Sequence, residues 1–281
     1  MIYSTTPRSR TLFGLVQSIW CYQAETTHEF ELVQPTVNSQ LLINLHENEL
    51  RHWTDTREVL RTTGPVGAQG LLTSPVLIDT QQKRNVCGVE FTSFGLSAFV
   101  DSSASGFTDS IVDATEFWGQ KTLALRNKLI RKTDPAERCQ LIESFLTGQP
   151  VHHSGENKLI EDILCLIRTG MTLSAIRDKA GLSQRAFYTL FEKRIGVRPK
   201  TYARIERFSA TLEPLSDNAA LIDIALDKGF SDQAHFTREF RTFTGNTPTH
   251  HHPLKNESHH AHVRPDKLFK TPDRLSDTLK T

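Results

Sequence analysis

Two stretches in the last third of the chain repeat one order of positions, and that repeat limits what the chain can fold into more than any compositional figure does. Residues 173–199 read LSAIRDKAGLSQRAFYTLFEKRIGVRP and residues 221–248 read LIDIALDKGFSDQAHFTREFRTFTGNTP. In each, a short apolar helix runs into a glycine, Gly181 or Gly229, where a left-handed turn is inexpensive only without a Cβ. Two positions later stands a serine, Ser183 or Ser231, whose hydroxyl suits the N-cap of a following helix. That helix carries Phe187, Leu190 and Phe191 in one copy, Phe236 and Phe240 in the other, on one apolar stripe. The stripes are core rather than chemistry. With each residue turning the helix by about 100°, the opposite face carries Arg185, Tyr188 and Thr189 in the first copy. In the second copy it carries Gln233, Ala234, His235, Thr237 and Arg238. Two helix-turn-helix units with polar outer faces are predicted, and such faces reach base edges in duplex DNA.

The spacing of Ile224-Ala225, Gly229-Phe230, Phe236, Arg238, Phe240, Gly245 and Thr247-Pro248 is longer and more fixed than amphipathicity requires. On these residues, the segment 157–250 resembles the DNA-binding domain of AraC/XylS-type transcriptional regulators. The resemblance implies a double-stranded DNA partner and a long helix, here about 199–212, that sets two recognition helices into adjacent major-groove segments. It also implies contact with RNA polymerase and, more often than not, activation. One departure lies at the edge: the family usually closes with an aromatic and an arginine where this chain has Thr249-His250-His251.

Charge separates the two copies. Residues 173–209 hold nine Lys or Arg against three acids, whereas residues 212–250 hold three against six. The first copy is therefore expected to supply most of the phosphate affinity, and the second to rely on Gln233, His235 and Arg238 for local contacts. A net charge of +1 for 281 residues excludes a globally basic nucleic-acid coat, so any such surface has to be local. Length alone predicts two or three domains. The four cysteines, Cys21, Cys87, Cys139 and Cys165, contain no CxxC pair, so neither a disulfide framework nor a zinc finger is indicated. Cys87 sits in an apolar run and reads as a small buried hydrophobe, with a thiol sensor as the alternative. The apolar run near the N-terminus is too short and polar for a signal peptide or a membrane span, which makes the cytoplasm the expected location.

Upstream, short runs rich in β-formers (LFGLVQSIWCY, FELVQP, SQLLINLH, GLLTSPVLI, VCGVEF) alternate with Gly, Pro, Asn and charged residues, predicting an antiparallel sheet or small barrel over 1–110. Helical spacing follows, with Ile111, Phe117, Leu125 and Leu129 among its apolar positions. A second helix is expected from Pro135 to Leu146, capped by Asp134, which gives a helical connector over 111–147. Residues 148–156 read as a linker, 157–250 as the DNA-binding domain with motifs at 173–195 and 221–243, and 251–281 as a disordered His-rich tail. The order GVEFTSFGLSAFV, SIVDATEFWG, PAERCQLIESFL resembles the uncharacterised β-rich sensor domain of a subgroup of AraC-type regulators. That resemblance implies a cupin-like barrel able to bind a small-molecule effector.

The expected fold class is thus multi-domain: a β-rich, cupin-like N-terminal domain with a helical connector, then an all-α double helix-turn-helix. No enzymatic activity, cofactor, metal or membrane partner is expected. Trp118 marks the connector and reads as core, with a pocket wall as the alternative. A cupin-like metalloenzyme is one alternative for the N-terminal half, but His28, His46 and His52, near Glu47 and Glu49, lack HxH ligand spacing. Another is an interaction module that only builds a homodimer. The tail histidines, among them His259, His260 and His262, read as an adventitious metal-binding tract.

Overall fold

In the computed structural model, the structure describes residues 2–250 apart from 26–27, 55, 153–154 and 217–218, together with 262–263. The N-terminal half contains strands β1 (Ile2–Thr5), β2 (Val16–Gln23), β3 (Phe30–Val33), β4 (Gln40–Asn44), β5 (Leu50–Trp53), β6 (Val59–Thr63), β7 (Val66–Gln69), β8 (Val76–Asp79), β9 (Asn85–Phe91) and β10 (Ile111–Asp113). They form two antiparallel sheets. One has the order β1-β2-β9-β4-β7-β10. The other runs β3-β8-β5-β6, and β11 (His262–Val263) joins it beside β3. The β-rich expectation therefore holds, and it takes the form of two sheets.

Alternation along the first sheet decides what each face does. Ile19 and Cys21, Leu41 and Ile43, Val66 and Ala68, Cys87 and Val89 point to one side and enter the main core. There they meet α3 (Lys121–Ile130) and α4 (Pro135–Thr147) through Leu125, Leu129, Cys139, Ile142 and Leu146. The intervening residues, among them Trp20, Tyr22, Leu42 and Gln69, face the second sheet across a cavity of about 70 Å3.

Asp134 caps α4 by accepting from the Ala136 N–H at 3.1 Å, and Pro135 takes the first helical position, both as expected. The connector begins later than position 111, however. Ile111–Asp113 adds strand β10 to the edge of the first sheet against β7, a pairing too short to leave a period in the sequence. Only then do α2 (Thr115–Trp118) and α3 follow; α1 (Gly95–Phe99) precedes β10. Trp118 packs edge-to-face on Phe99, Phe117 and Phe145 and is core. Cys87 is fully buried, paired in register with Cys21 on β2, with the two Sγ atoms 2.8 Å apart.

The C-terminal half is helical: α5 (Gly155–Arg168), α6 (Leu173–Lys179), α7 (Gln184–Arg194), α8 (Pro199–Ser216), α9 (Leu221–Asp227) and α10 (Gln233–Thr244). The linker helix α8 runs about one turn beyond the expected Leu212 and contains Pro214. Buried apolar side chains continue from the first sheet through α3, α4 and α5 into both motifs as one cluster. Most of the His-rich tail, expected to be disordered, lies outside the described residues, and no helix among those described is long and apolar enough to cross a membrane.

Candidate nucleic-acid interface

The first motif follows its sequence closely. Thr172 caps α6 by accepting from the Ala175 N–H at 3.3 Å, and Gly181 turns the chain at φ +66°. Ser183 then caps α7, accepting from the Ala186 N–H at 3.2 Å. Phe187 and Phe191 are buried in edge contact at 5.2 Å, and Phe191 meets Tyr202 of α8. With that stripe turned inward, Arg185, Tyr188 and Thr189 are exposed on the outer face. Gln184 lies beside them and donates to the Tyr188 hydroxyl at 3.3 Å.

The second motif differs at its turn. Gly229 adopts φ +76°, but Asp232, not Ser231, caps α10, accepting from the His235 N–H at 2.6 Å. Ser231 instead donates to the Asp232 carboxylate at 3.0 Å. A carboxylate one position further on outcompetes the hydroxyl for the helix amide because an ionised acceptor makes the stronger bond. The hydrogen bonds from the His235 N–H and Ser231 in turn hold the Asp232 carboxyl below its ordinary range.

The phase of the aromatic stripe explains the shift. Phe187 and Phe236 are each the fourth residue of their helix, although they lie six and seven residues after their glycines. The second turn is one residue longer. Aligned by phase, Arg185, Tyr188 and Thr189 match Ala234, Thr237 and Arg238, and Gln184 matches Gln233. Gln184, absent from the outer face read from the sequence, is exposed and takes the place of Gln233 once the two helices are aligned on the stripe.

Gln233, Ala234 and Arg238 are exposed, while His235 and Thr237 are half-buried. The His235 ring stands edge-on to Phe230 at 5.4 Å, and its Nδ1 lies 3.1 Å from the Ser231 hydroxyl. It is engaged in the turn. Phe236 and Phe240 fill the core below, reaching Phe208 of α8.

Several of the nine cations of the first motif are engaged within the chain, some of them in exposed ion pairs. Arg177 pairs with Asp178, Lys193 with Glu156, Arg198 with Glu192 and Arg204 with Glu239. Arg207 lies 4.8 Å above the Phe230 ring, and Arg194 is 5% exposed. Among the described residues, Lys179, Arg185 and Lys200 are the members of the nine left without such a partner. The second motif keeps Arg238 and Arg241 exposed.

Arg194 ends α7 against the N-terminal domain. Its Nη1 donates to the Ser97 carbonyl at 3.1 Å, while the Ser97 hydroxyl donates to the Arg194 carbonyl at 2.9 Å. Its Nη2 reaches Asn157. Burial lowers the Arg194 pKa, opposed by the nearby Glu156 charge. Around it, Thr108 donates to the Gly196 carbonyl at 3.0 Å, Ser103 to that of Glu192 at 3.1 Å, and the Ser93 and Tyr202 hydroxyls meet at 3.1 Å. Gly196 is required twice over. Its φ is +94°, and a Cβ there would stand 2.4 Å from the Thr108 hydroxyl and 2.8 Å from the Ala104 carbonyl oxygen.

A two-sheet domain joined to paired helix-turn-helix units on one long helix defines a class of DNA-binding regulators. Residues 166–252 match the family model described as a helix-turn-helix domain, and residues 5–113 match a domain of unknown function (DUF6597). The Transposon Tn10 TetD protein of Escherichia coli is 32% identical over 98 residues, covering 33% of this chain and 71% of that protein. The probable transcription factor PqrA of Proteus vulgaris is 31% identical over 97 residues, covering 32% and 80%. XylDLEGF operon transcriptional activator 3 of Pseudomonas putida is 33% identical over 111 residues, which cover 38% of this chain and about a third (32%) of the activator's length. ToxT from Vibrio cholerae aligns over 89% of this chain and 95% of its own with a TM-score of 0.41 and 10% identity, too loose to establish a shared fold. The chain belongs to the AraC/XylS-type family of transcriptional regulators.

Proposed function

We propose that the chain is a sequence-specific DNA-binding transcriptional regulator whose N-terminal domain controls the setting of its first recognition helix. The observation that carries this is the placement of α7. Its outer face bears Arg185, Tyr188 and Thr189, while its C-terminal end is held by Ser97, Ser103 and Thr108 of the β-rich half. Movement of those loops moves a recognition helix. The second helix contributes Gln233, Ala234, His235, Thr237 and Arg238 to the DNA face, and α8 fixes the separation of the two.

An effector bound in the N-terminal domain would shift the population between two settings of α7, which requires that it bind one setting more tightly than the other. Activation through RNA polymerase, action as a homodimer on repeated half-sites and a cytoplasmic location complete the proposal. No reaction is assigned to the chain. Among the described residues no cluster of three or more His, Cys, Asp or Glu could hold a metal ion. The test is binding to duplexes enriched from a random pool, comparing the parent with Arg194→Met, which keeps much of the buried aliphatic length but removes the clamp. Sequence-specific binding by both proteins, with a changed affinity in the variant, supports regulation through this contact. Unchanged affinity removes the N-terminal domain from control.

A further inference from the structure

We propose that the cavity between the two sheets takes a small uncharged ring compound and discriminates against a carboxylate of the same shape. This rests on the N-terminal domain being the effector-binding half, and it adds the chemistry of the effector.

The cavity is built rather than incidental. Every strand of the first sheet sends its alternate residues into the main core, yet the other set does not close on the second sheet. Glycines let the large lining side chains lie back against the sheet. A Cβ at Gly88 would stand 2.4 Å from the Trp20 ring, so the indole lies directly against the bare β9 backbone. Gly67 likewise makes room for Ile111 and Leu50. At about 70 Å3 the void is about half the ~150 Å3 of an apolar cavity that takes benzene, so one small ring is its upper limit and side chains at its mouth must yield to admit it. Trp20 and Tyr22, alternate residues of β2, offer it aromatic surface; Leu42, Leu50 and Ile78 supply the apolar remainder.

The charge of the lining then selects the ligand class. Lys83 is its one formally charged side chain, and its ammonium is held by Glu31, whose carboxylate is buried and also bonds the His28 ring at 2.7 Å. The Lys83 charge stands 5.3 Å from the Tyr22 ring as well. His52 is buried on β5 and hydrogen-bonded to Gln69; burial pushes its pKa down to about 4, so the ring is uncharged at neutral pH. A carboxylate entering this wall would lose its hydration and find a cation already neutralised, so its desolvation is not offset. A neutral amide or hydroxyl loses far less and can hydrogen-bond to the side-chain amides of Gln40 and Gln69, which both donate and accept.

Benzamide and benzoate are matched in shape and differ in charge. Calorimetric titration of the full chain at pH 7 is expected to show benzamide binding at least tenfold more tightly than benzoate. Leu42→Phe, which fills the void, is expected to weaken benzamide at least tenfold. Because a filled cavity can disturb folding, location is also read from fluorescence. Bound benzamide should change the tryptophan emission, and Trp20→Phe should abolish that change although Trp53 and Trp118 remain. Benzoate binding as tightly as benzamide, no binding by either, or a response that persists in Trp20→Phe overturns the proposal. Neither assay contains DNA. Loss of the DNA-binding reading would leave this preference standing, and failure here would leave DNA recognition untouched.

Discussion

The two helix-turn-helix units share a phase and a core but not an attachment. The first ends in Arg194 and Gly196, which are enclosed by the N-terminal domain. The second is held to α8, through the bidentate Arg204–Glu239 pair at 2.8 and 2.9 Å and the stacking of Phe208 on Phe240 and Phe243. Among the described residues, the hydrogen bonds that link the helical half to the β-rich half end on the first unit, on α8 or on the approach to α5. The first unit is therefore tied to the β-rich half, and the second to α8.

The largest effect expected from this difference comes from emptying the core of the second unit. Phe236→Ala removes a fully buried ring and should cost about 3–5 kcal/mol locally. Hydrogen exchange should show α9 and α10 losing protection while α6 and α7 keep theirs. Equal loss in both units would break the comparison.

Next is Gly196→Ala. A left-handed residue carrying a Cβ, together with the contacts to Ala104 and Thr108, should cost about 2–4 kcal/mol and lower the melting temperature of the full chain. Gly229→Ala sharpens this. It has the same backbone penalty with nothing within 4 Å of the added carbon, so its loss should be smaller, about 1–2 kcal/mol. Equal losses would mean that the packing around Gly196 contributes nothing.

Arg185→Ala and Arg238→Ala should each weaken binding to an enriched duplex by about 1–3 kcal/mol and relax preference at one base position, in different blocks of the site. A uniform loss on all duplexes would make them phosphate contacts.

The smallest effect is set by pH. Burial raises the Glu239 pKa, but the Arg204 hydrogen bonds outweigh it and leave the carboxyl below its ordinary value of 4.5. Its stabilising contribution is therefore complete above that value and is lost as pH falls through the lower folded pKa. The buried clamp at Arg194 uses carbonyl and amide acceptors that do not titrate. Acid should thus loosen α10 from α8 before it frees α7, as followed by exchange at pH 3–5. Arg204→Met should remove that pH dependence.

The sequence carried the periodic parts of this molecule. The stripes through Phe187 and Phe236, the cap at Ser183, the helix from Pro135 and the runs that became β2, β3, β4, β8 and β9 could all be read from spacing. Short or irregular pairs such as Val66–Gln69 and Ile111–Asp113 could not, because three or four residues hold no period and their pairing is decided by distant strands. The Ser231 error arose because two adjacent acceptors competed and only the helix phase separates them. Charge counts carry no information on exposure. Composition counts Arg194, Arg204 and Arg207 as surface cations, whereas folding spends them on Ser97, Glu239 and Phe230. The cavity was invisible for a related reason: its wall is the set of positions that alternate with the core, and nothing local in Trp20, Leu42 or Gln69 says that the facing sheet stops short.

The most direct test is selection of random duplex DNA by the full-length chain. Two recognition helices on one long linker predict an enriched motif with two blocks about one helical turn, roughly 10 base pairs, apart, each sensitive to its own arginine. A single block would leave only one helix reading bases. No enrichment over random sequence at low ionic strength would contradict the account at its root.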